Sequence, residues 1–167
     1  TTISAGGGTI SDSTDYGPAG PHFGEVFHYT ASHNATPFFD RAYTRDTLGR
    51  ITSVTETLTL APDPPAVTAT HYQYDPAGRL FRVCPDAACA TVQAEYHYDA
   101  NGNRLPGTIT AQGTVTAATY DDQDRLLAMT VGPTTTTYTY TANGELLTKT
   151  DPGGTTTYTT DALGNLR

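Results

Sequence analysis

A short motif with a fixed chain reversal recurs along the sequence, and it limits the folds that the chain can adopt. Its clearest copy is YDPAGRL, at Tyr74 to Leu80. Asp75, Pro76 and Gly78 occupy the positions preferred in a type I turn that ends on a left-handed residue. We therefore predict a tight hairpin turn here. Arg79 leaves it beside Asp75, and an exposed contact between the two charges contributes only about 0–1 kcal/mol.

Weaker copies of this motif lie on both sides of it, at steps of 20 to 29 residues. The left-handed turn position falls in successive copies at Gly24, Gly49, Gly78, Gly102, Asp124, Gly144 and Gly164. The other predicted turn residues are Asp46, Asp75, Arg79, Asp99, Arg104, Asp121, Arg125 and Asp161. A unit of about 20 residues accommodates two strands and two turns but no crossover helix. The repeat is therefore predicted to be a β-hairpin.

The predicted fold is all-β, because Thr, Tyr and Gly are abundant while charged residues make up only 16% of the chain. Tandem hairpins should form a twisted, spiralling antiparallel sheet, such as an open ribbon. Residues 1–15 are predicted to form a lead-in strand or to be disordered, and residues 16–167 to form the repeat array. The chain is expected to be a fragment of a longer protein or a short open segment.

Pairs of tyrosines two residues apart precede three of the main turns. Side chains at this spacing project from one face of a strand. We predict that neighbouring repeats stack these rings into an aromatic ladder, in which each cross-strand pair contributes about 0.2–1 kcal/mol. The tyrosines concerned are Tyr72, Tyr74, Tyr96, Tyr98, Tyr138 and Tyr140.

Cys84 and Cys89 enclose a loop of four residues that would place them opposite each other at a hairpin tip. A disulfide is geometrically plausible at this spacing, and two unpaired thiols are the alternative. The spacing differs from that of redox motifs, and no second pair exists to complete a zinc site.

Composition and motifs argue against several functional classes. A net charge of −8 disfavours nucleic acid as a partner, and no apolar run is long enough for membrane insertion. The Asx-rich loop that begins at Asp99 resembles a calcium loop, but Arg104 and Thr110 stand where that pattern requires Gly and Glu. We predict no catalytic residue, no metal site and no cofactor.

The pattern Tyr-Asp-x-x-Gly-Arg-Leu at steps of 20 to 25 residues resembles the YD repeats of the RHS family, from about Tyr16 onward. In that family, which includes bacterial RHS toxins and the C components of insecticidal toxin complexes, the repeats build a spiralling sheet that closes into a hollow cage. Teneurins carry a similar barrel. The resemblance implies a structural shell, and that the predicted sheet is a segment of such a cage.

The leading hypothesis is a non-catalytic, exported scaffold of bacterial origin that encloses or presents a toxin or other cargo. Its partners would then be further repeats of the same chain. One alternative is a self-assembling extracellular fibre or adhesive filament, in which copies pair through open edge strands. Another is a carbohydrate-binding or recognition module at the cell surface, since exposed Tyr with Asp, Asn and Arg near turns is a common kind of sugar-binding surface.

Overall fold

The computed structural model describes residues 2–5, 7–17, 24–60, 62–161 and 163–167, and it contains strands but no helix in these ranges. This confirms the predicted all-β class. The strands are β1 (Thr2–Ala5), β2 (Gly8–Tyr16), β3 (Val26–His33), β4 (Thr36–Arg45), β5 (Ile51–Leu58), β6 (Ala66–Tyr74), β7 (Leu80–Cys84), β8 (Ala94–Glu95), β9 (Ile109–Thr110), β10 (Gly113–Tyr120), β11 (Leu126–Val131), β12 (Thr134–Tyr140), β13 (Leu146–Asp151) and β14 (Gly154–Thr157).

The chain divides into two compact units, Thr1–Val92 and Gln93–Arg167. The first unit contains β1 to β7 and the second contains β8 to β14. Within each unit every strand pairs antiparallel with the next strand in sequence. This order is the one that tandem hairpins produce, and it confirms the predicted antiparallel repeat.

The first residues of the chain form a hairpin of their own, β1 with β2, where the sequence predicts a single lead-in strand or disorder. Ile3 lies opposite Ile10 in this pair. The start of the repeat copy around Gly24, residues 18–23, lies outside the described residues.

Two kinds of turn alternate along each unit. The longer kind carries the repeated motif, and the strand register shifts by one residue just before it, for example between Gln73 and Tyr74 and between Thr139 and Tyr140. Such a shift marks a β-bulge, which increases the local strand twist. The shorter kind closes the opposite ends of several hairpins, as at Asn34 and Ala35, whose φ values are 50° and 64°. Positive φ at both central residues is typical of a type I′ turn, whose backbone matches the right-handed twist of the flanking strands.

Few side chains are fully covered, as expected for a sheet that exposes much of its surface. Among the described residues Cys84, Val115 and Thr108 are at most 1% exposed, and Ala31 is 8% exposed. Several leucines near the turns remain open, including Leu48 and Leu163 at 75% and 87% exposed. Stability must therefore come mainly from nearest-neighbour strand and turn contacts rather than from a central core.

The strands of the two units carry different side chains. On β4 and β5 the register places Arg41 opposite Glu56 and Tyr43 opposite Val54, so aromatic and charged groups share one face. In the second unit one face of β11 to β14 consists largely of threonines that lie opposite one another, namely Thr130, Thr135, Thr137, Thr139, Thr148, Thr150, Thr155 and Thr157.

Candidate functional site

The recurring turn has a fixed set of backbone hydrogen bonds. In the clearest copy the Asp75 N–H donates to the Arg79 carbonyl at 2.9 Å, and the Gly78 N–H donates to the Asp75 carbonyl at 2.8 Å. Gly78 has φ of 83°, a left-handed value that only glycine adopts readily. The same two bonds recur in the turns that begin at Asp46, Asp99, Asp121, Thr141 and Asp161.

The aspartate at the first position satisfies the turn with its side chain. Asp75 Oδ1 accepts from the Arg79 N–H at 2.8 Å, and Asp75 Oδ2 accepts from Arg79 Nε at 2.8 Å. Asp121 and Arg125 repeat these contacts at 2.9 and 2.7 Å. In both turns the backbone N–H of the arginine, followed by its guanidinium, holds the pKa of the aspartate below its ordinary value. The ionised carboxylate is therefore the form that the folded turn stabilises.

Three turns keep this geometry without the arginine. Asn103 and Asn165 occupy the position of Arg79, and their side-chain amides donate to Asp99 and Asp161. In the turn that starts at Thr141, the threonine hydroxyl donates to Glu145 at 2.5 Å. The last turn position therefore accepts any side chain that can complete a hydrogen bond to the first.

Arg104, which the sequence places in the turn, lies one residue beyond it. The turn that begins at Asp99 closes at Asn103, since the Asp99 N–H donates to the Asn103 carbonyl at 3.0 Å. The Arg104 guanidinium instead lies over the Tyr96 ring, 5.4 Å from its centroid. The Arg104 backbone forms an isolated antiparallel β-bridge with Tyr98. The extra residue in YDANGNRL shifts the arginine out of reach of the aspartate.

In three repeats the tyrosine before the turn joins that turn to the preceding one. Tyr74 Oη donates to the carbonyl of Ile51 at 2.7 Å, and the Arg50 guanidinium lies 4.4 Å from the centroid of the Tyr74 ring. Arg50 also pairs with Asp46 at 2.6 Å in its own turn. Tyr74 thus contacts two parts of the preceding turn: the Ile51 carbonyl just after it and the Arg50 guanidinium that pairs with Asp46.

This turn-to-turn contact recurs in the second unit. Tyr140 Oη donates to the Leu126 carbonyl at 2.9 Å, and Arg125 lies 4.9 Å from the centroid of the Tyr140 ring. Tyr120 Oη donates to the Arg104 carbonyl at 2.8 Å. Burial raises the pKa of the Tyr74, Tyr120 and Tyr140 hydroxyls above their ordinary value, so each stays protonated and able to donate.

One copy inverts the chemistry of the contact. At the position equivalent to Tyr74 stands Arg45, whose Nη2 donates to the Val26 carbonyl at 3.2 Å. Its Nε lies 3.0 Å from the carboxylate of Glu25, the residue at the position of Arg50. A cation before one turn and an anion at the end of the preceding turn therefore replace the tyrosine and arginine pair.

Sequence reasoning missed this turn-to-turn contact, although its signal was present. The spacing between Tyr74 and Arg50 is one repeat, and both belong to the motif. The predicted tyrosine ladder stays a prediction, since the contacts of Tyr74 and Tyr140 described above are made with an arginine and a carbonyl. The aromatic pair with the clearest geometry is Tyr29 with Phe39, whose centroids lie 6.1 Å apart.

Cys84 and Cys89 form a disulfide, with Cα atoms 5.2 Å apart. Cys84 is fully buried at the end of β7, and Cys89 has φ of 54° in the loop that follows. Asp86 closes that loop, because its carboxylate accepts the Ala90 N–H at 3.1 Å. The crosslink fastens an irregular segment rather than the tip of a tight hairpin.

The Asx-rich loop at Asp99 forms a network of amides and carboxylates. Asn101 N–H donates to Asp99 Oδ1 at 2.9 Å, which is the bond of an Asx turn. Asn101 and Asn103 both donate side-chain amides to Asp124, at 3.0 and 2.7 Å. These contacts connect two successive turns and engage the oxygens that a calcium ion would need.

Taken together, the turn residues form one row of hydrogen-bonded and ion-paired reversals in each unit. Asp–Arg pairs or their Asn and Thr–Glu replacements close individual turns, and Tyr74, Tyr120, Tyr140 and Arg45 connect turns to their neighbours. The hydrogen-bond donors and acceptors of this row bind one another, so the row stabilises the sheet.

Comparison with known proteins identifies the repeat. A family model described as teneurin YD-shell matches residues 23–167. The chain belongs to the teneurin YD-shell family. This confirms the predicted YD-repeat relationship, and the family is a structural shell domain.

A solved structure with a similar fold is the crystal structure of TcdB2-TccC3-Cdc42. The TM-score is 0.51 and the sequence identity 18%, over 91% of this YD-shell chain and 9% of the matched chain. At this identity the likeness shows the fold alone. The chain spans less than a tenth of the length of that relative. No curated protein sequence matches it.

No helix in the described ranges could span a lipid bilayer.

Proposed function

We propose that this chain is a wall segment of an RHS-type β-sheet shell that encloses or presents a toxin or other cargo. The observation that carries the proposal is the turn-to-turn contact, exemplified by Tyr74 with Arg50 and Ile51. Because this contact ties each hairpin to the preceding one, any number of repeats can be added without a new kind of interface. An extendable sheet of this kind is suited to a wall.

In this proposal the segment is non-catalytic and works outside the cell. Two features support the first point: the turn residues are saturated by one another, and the family is a structural shell domain. The Cys84–Cys89 disulfide supports the second, because disulfides persist mainly in oxidising compartments. Partners of the segment are further repeats of its own chain and the enclosed cargo.

The test uses the full gene product that contains this segment. Cryo-electron microscopy should show the repeats as one continuous spiral wall around a hollow interior, and a polypeptide held inside should resist added protease. Gly78→Val should remove that protection by distorting a turn, whereas the neighbouring Ala77→Val should preserve it. A filled two-layer sandwich, or equal protease sensitivity of both variants and the wild type, would contradict the proposal.

Self-assembly through sheet edges is the second candidate. All four residues of β14 are exposed, and among the described residues of the second unit this strand pairs only with β13. Its outer backbone groups can pair with a strand from another copy. Light scattering and electron microscopy over a concentration series should then show growing filaments. A Thr155→Pro variant should stop the growth, because Thr155 lies in a non-hydrogen-bonded pair with Thr150 and its N–H points to the outer edge. A monomer at the highest concentration would exclude this candidate.

A further inference from the structure

A groove of about 540 Å³ lies in the first unit, at the ends of the hairpins opposite the recurring turns. Its apolar wall consists of Pro37, Phe38 and Leu60, and Leu60 is 55% exposed. The volume lies within the range of about 300–1,000 Å³ that is typical of small-molecule sites. The groove is remote in sequence from the turn residues described above.

The polar rim of the groove consists of His33, Asn34, Thr36 and Thr59. Asn34 Oδ1 accepts from the Thr9 N–H at 2.8 Å, which fixes the amide plane. The hydrogen bonds of the described residues leave Asn34 Nδ2 and the hydroxyls of Thr36 and Thr59 available. An amide donor and two hydroxyls therefore face solvent beside an aromatic ring.

The groove is formed before any ligand binds. One side is held by the β3–β4 turn, where the Asn34 N–H donates to the Thr9 carbonyl at 2.8 Å. The other side is held by the Thr59 N–H, which donates to the Phe38 carbonyl at 2.8 Å. Both bonds join segments distant in sequence, so the rim and the wall keep their separation. A preorganised site loses less conformational entropy on binding.

The described residues of the lining include no Asp, Glu, Lys or Arg side chain, although the whole chain has a net charge of −8. An uncharged site with one aromatic ring and several hydrogen-bonding groups matches a ligand with an apolar face and many hydroxyls. The C–H faces of a pyranose ring pack against aromatic rings, while its hydroxyls both donate and accept. We propose that this groove binds a neutral saccharide.

Two smaller grooves formed by described residues of the first unit have the wrong chemistry for such a ligand. One, of about 210 Å³, is lined by Phe27 together with the charged Glu25 and Arg45, which are already paired. The other, of about 220 Å³, is lined by Ile51, Tyr72, Tyr74 and Leu80, and the Tyr74 hydroxyl is engaged by the Ile51 carbonyl. The neutral groove at Phe38 is the larger site and offers both apolar and polar contacts.

The test is saturation-transfer-difference NMR on the intact chain with maltose, lactose, cellobiose and N,N′-diacetylchitobiose, each at millimolar concentration. We expect transfer to the ring C–H protons of at least one sugar. Phe38→Ala should weaken that binding by about tenfold or more, because it removes the stacking surface. Asn34→Asp should weaken it less, since it keeps the acceptor to Thr9 and removes the donor.

The matched control is Phe27→Ala, which removes an aromatic ring that is 55% exposed in the charged groove. It should leave saccharide binding unchanged. Circular dichroism must show that both alanine variants retain the wild-type strand content. Absence of transfer from all four sugars overturns the proposal, as does equal weakening by the two alanine variants. Preferential binding of an acidic oligosaccharide, tested with heparin fragments, overturns it as well.

Discussion

The two units use different side chains on their strands although their recurring turns share the same backbone hydrogen bonds. In the first unit Arg41 pairs with Glu56 across β4 and β5, and His28 Nε2 lies 2.6 Å from Asp40 across β3 and β4. In the second unit the equivalent cross-strand contacts are between threonine hydroxyls, such as Thr139 with Thr148 at 2.6 Å. In these cross-strand contacts, pairs of neutral hydroxyls stand where the first unit has charged side chains.

The turns, by contrast, differ little between the units. Gly78 and Gly144 both have positive φ, 83° and 93°, and Tyr74 and Tyr140 make the same contact with the preceding turn. The comparison shows that the hairpin and its spacing depend on the turn and its tyrosine. The strand faces are free to vary because each residue there needs only a compatible partner across the sheet.

The largest effect should follow from a side chain at the left-handed turn position. Gly78→Val and Gly144→Val should each lower the free energy of unfolding by about 1–3 kcal/mol, since a β-branched residue is strained at positive φ. The cost should be slightly greater at Gly78, where an added Cβ would lie 3.3 Å from Arg50 Nη1, than at Gly144, where it would lie 3.7 Å from Arg125 Nη1. Chemical denaturation measures both.

The control for this experiment is Ala77→Val in the same turn, at an exposed position without positive φ. It should change the unfolding free energy by no more than about 0.5 kcal/mol. Equal losses from Ala77→Val and Gly78→Val would show that the turn conformation is assigned incorrectly.

A smaller loss is expected when the turn-to-turn contact is broken. Tyr74→Phe and Tyr140→Phe remove only a hydroxyl, and each should lower the unfolding free energy by about 0.5–1.5 kcal/mol. Tyr72→Phe and Tyr138→Phe are matched controls, since the hydroxyls of Tyr72 and Tyr138 make no hydrogen bond with the described residues. If the controls cost as much as the test variants, the hydrogen bonds to Ile51 and Leu126 do not join the repeats.

Acid should weaken the turns that depend on an ionised aspartate. The folded-state pKa of Asp75 and Asp121 is lowered, so their contribution to stability is present above the unfolded pKa of about 3.9 and is lost as pH falls through the folded value. Melting temperatures measured from neutral pH downward should fall in this acidic range. Asp75→Asn should flatten the decline, whereas an unchanged profile would contradict the role of the carboxylate.

The smallest effect should distinguish the strand faces of the two units. Glu56→Gln removes a half-buried ion pair with Arg41, and its cost of about 0–1 kcal/mol should shrink as salt is added. Thr148→Val removes the neutral hydroxyl contact with Thr139, and its cost should not depend on salt. Thermal melts at low and high ionic strength measure both costs. If the cost of Thr148→Val also depended on salt, the difference between the strand faces of the two units would not be one between charged and neutral contacts.

Local chemistry explains why much of the fold could be predicted. Asp75, Pro76 and Gly78 encode a reversal within four residues, and the spacing of such reversals leaves room only for hairpins. The substitution of Asp124 for glycine was also recognisable, and it has φ of 60°. These features are fixed by residues adjacent in sequence, so no tertiary information is needed.

The candidate site was less predictable because its contacts cross repeats. Pairing of Tyr74 with Arg50 depends on the register between neighbouring hairpins, and the exchange of this pair for Arg45 and Glu25 has no local signature. The neutral groove at Phe38 likewise joins the β3–β4 turn to residues near Thr59.

The sequence by itself determined where the chain reverses and that it forms tandem antiparallel hairpins, since glycines and aspartates set those backbone angles locally. Only the tertiary structure decided which side chains connect one hairpin to the next, that Arg104 leaves its turn, and where a groove opens. Those outcomes depend on strand register and bulges, which arise from packing between segments separated by a whole repeat.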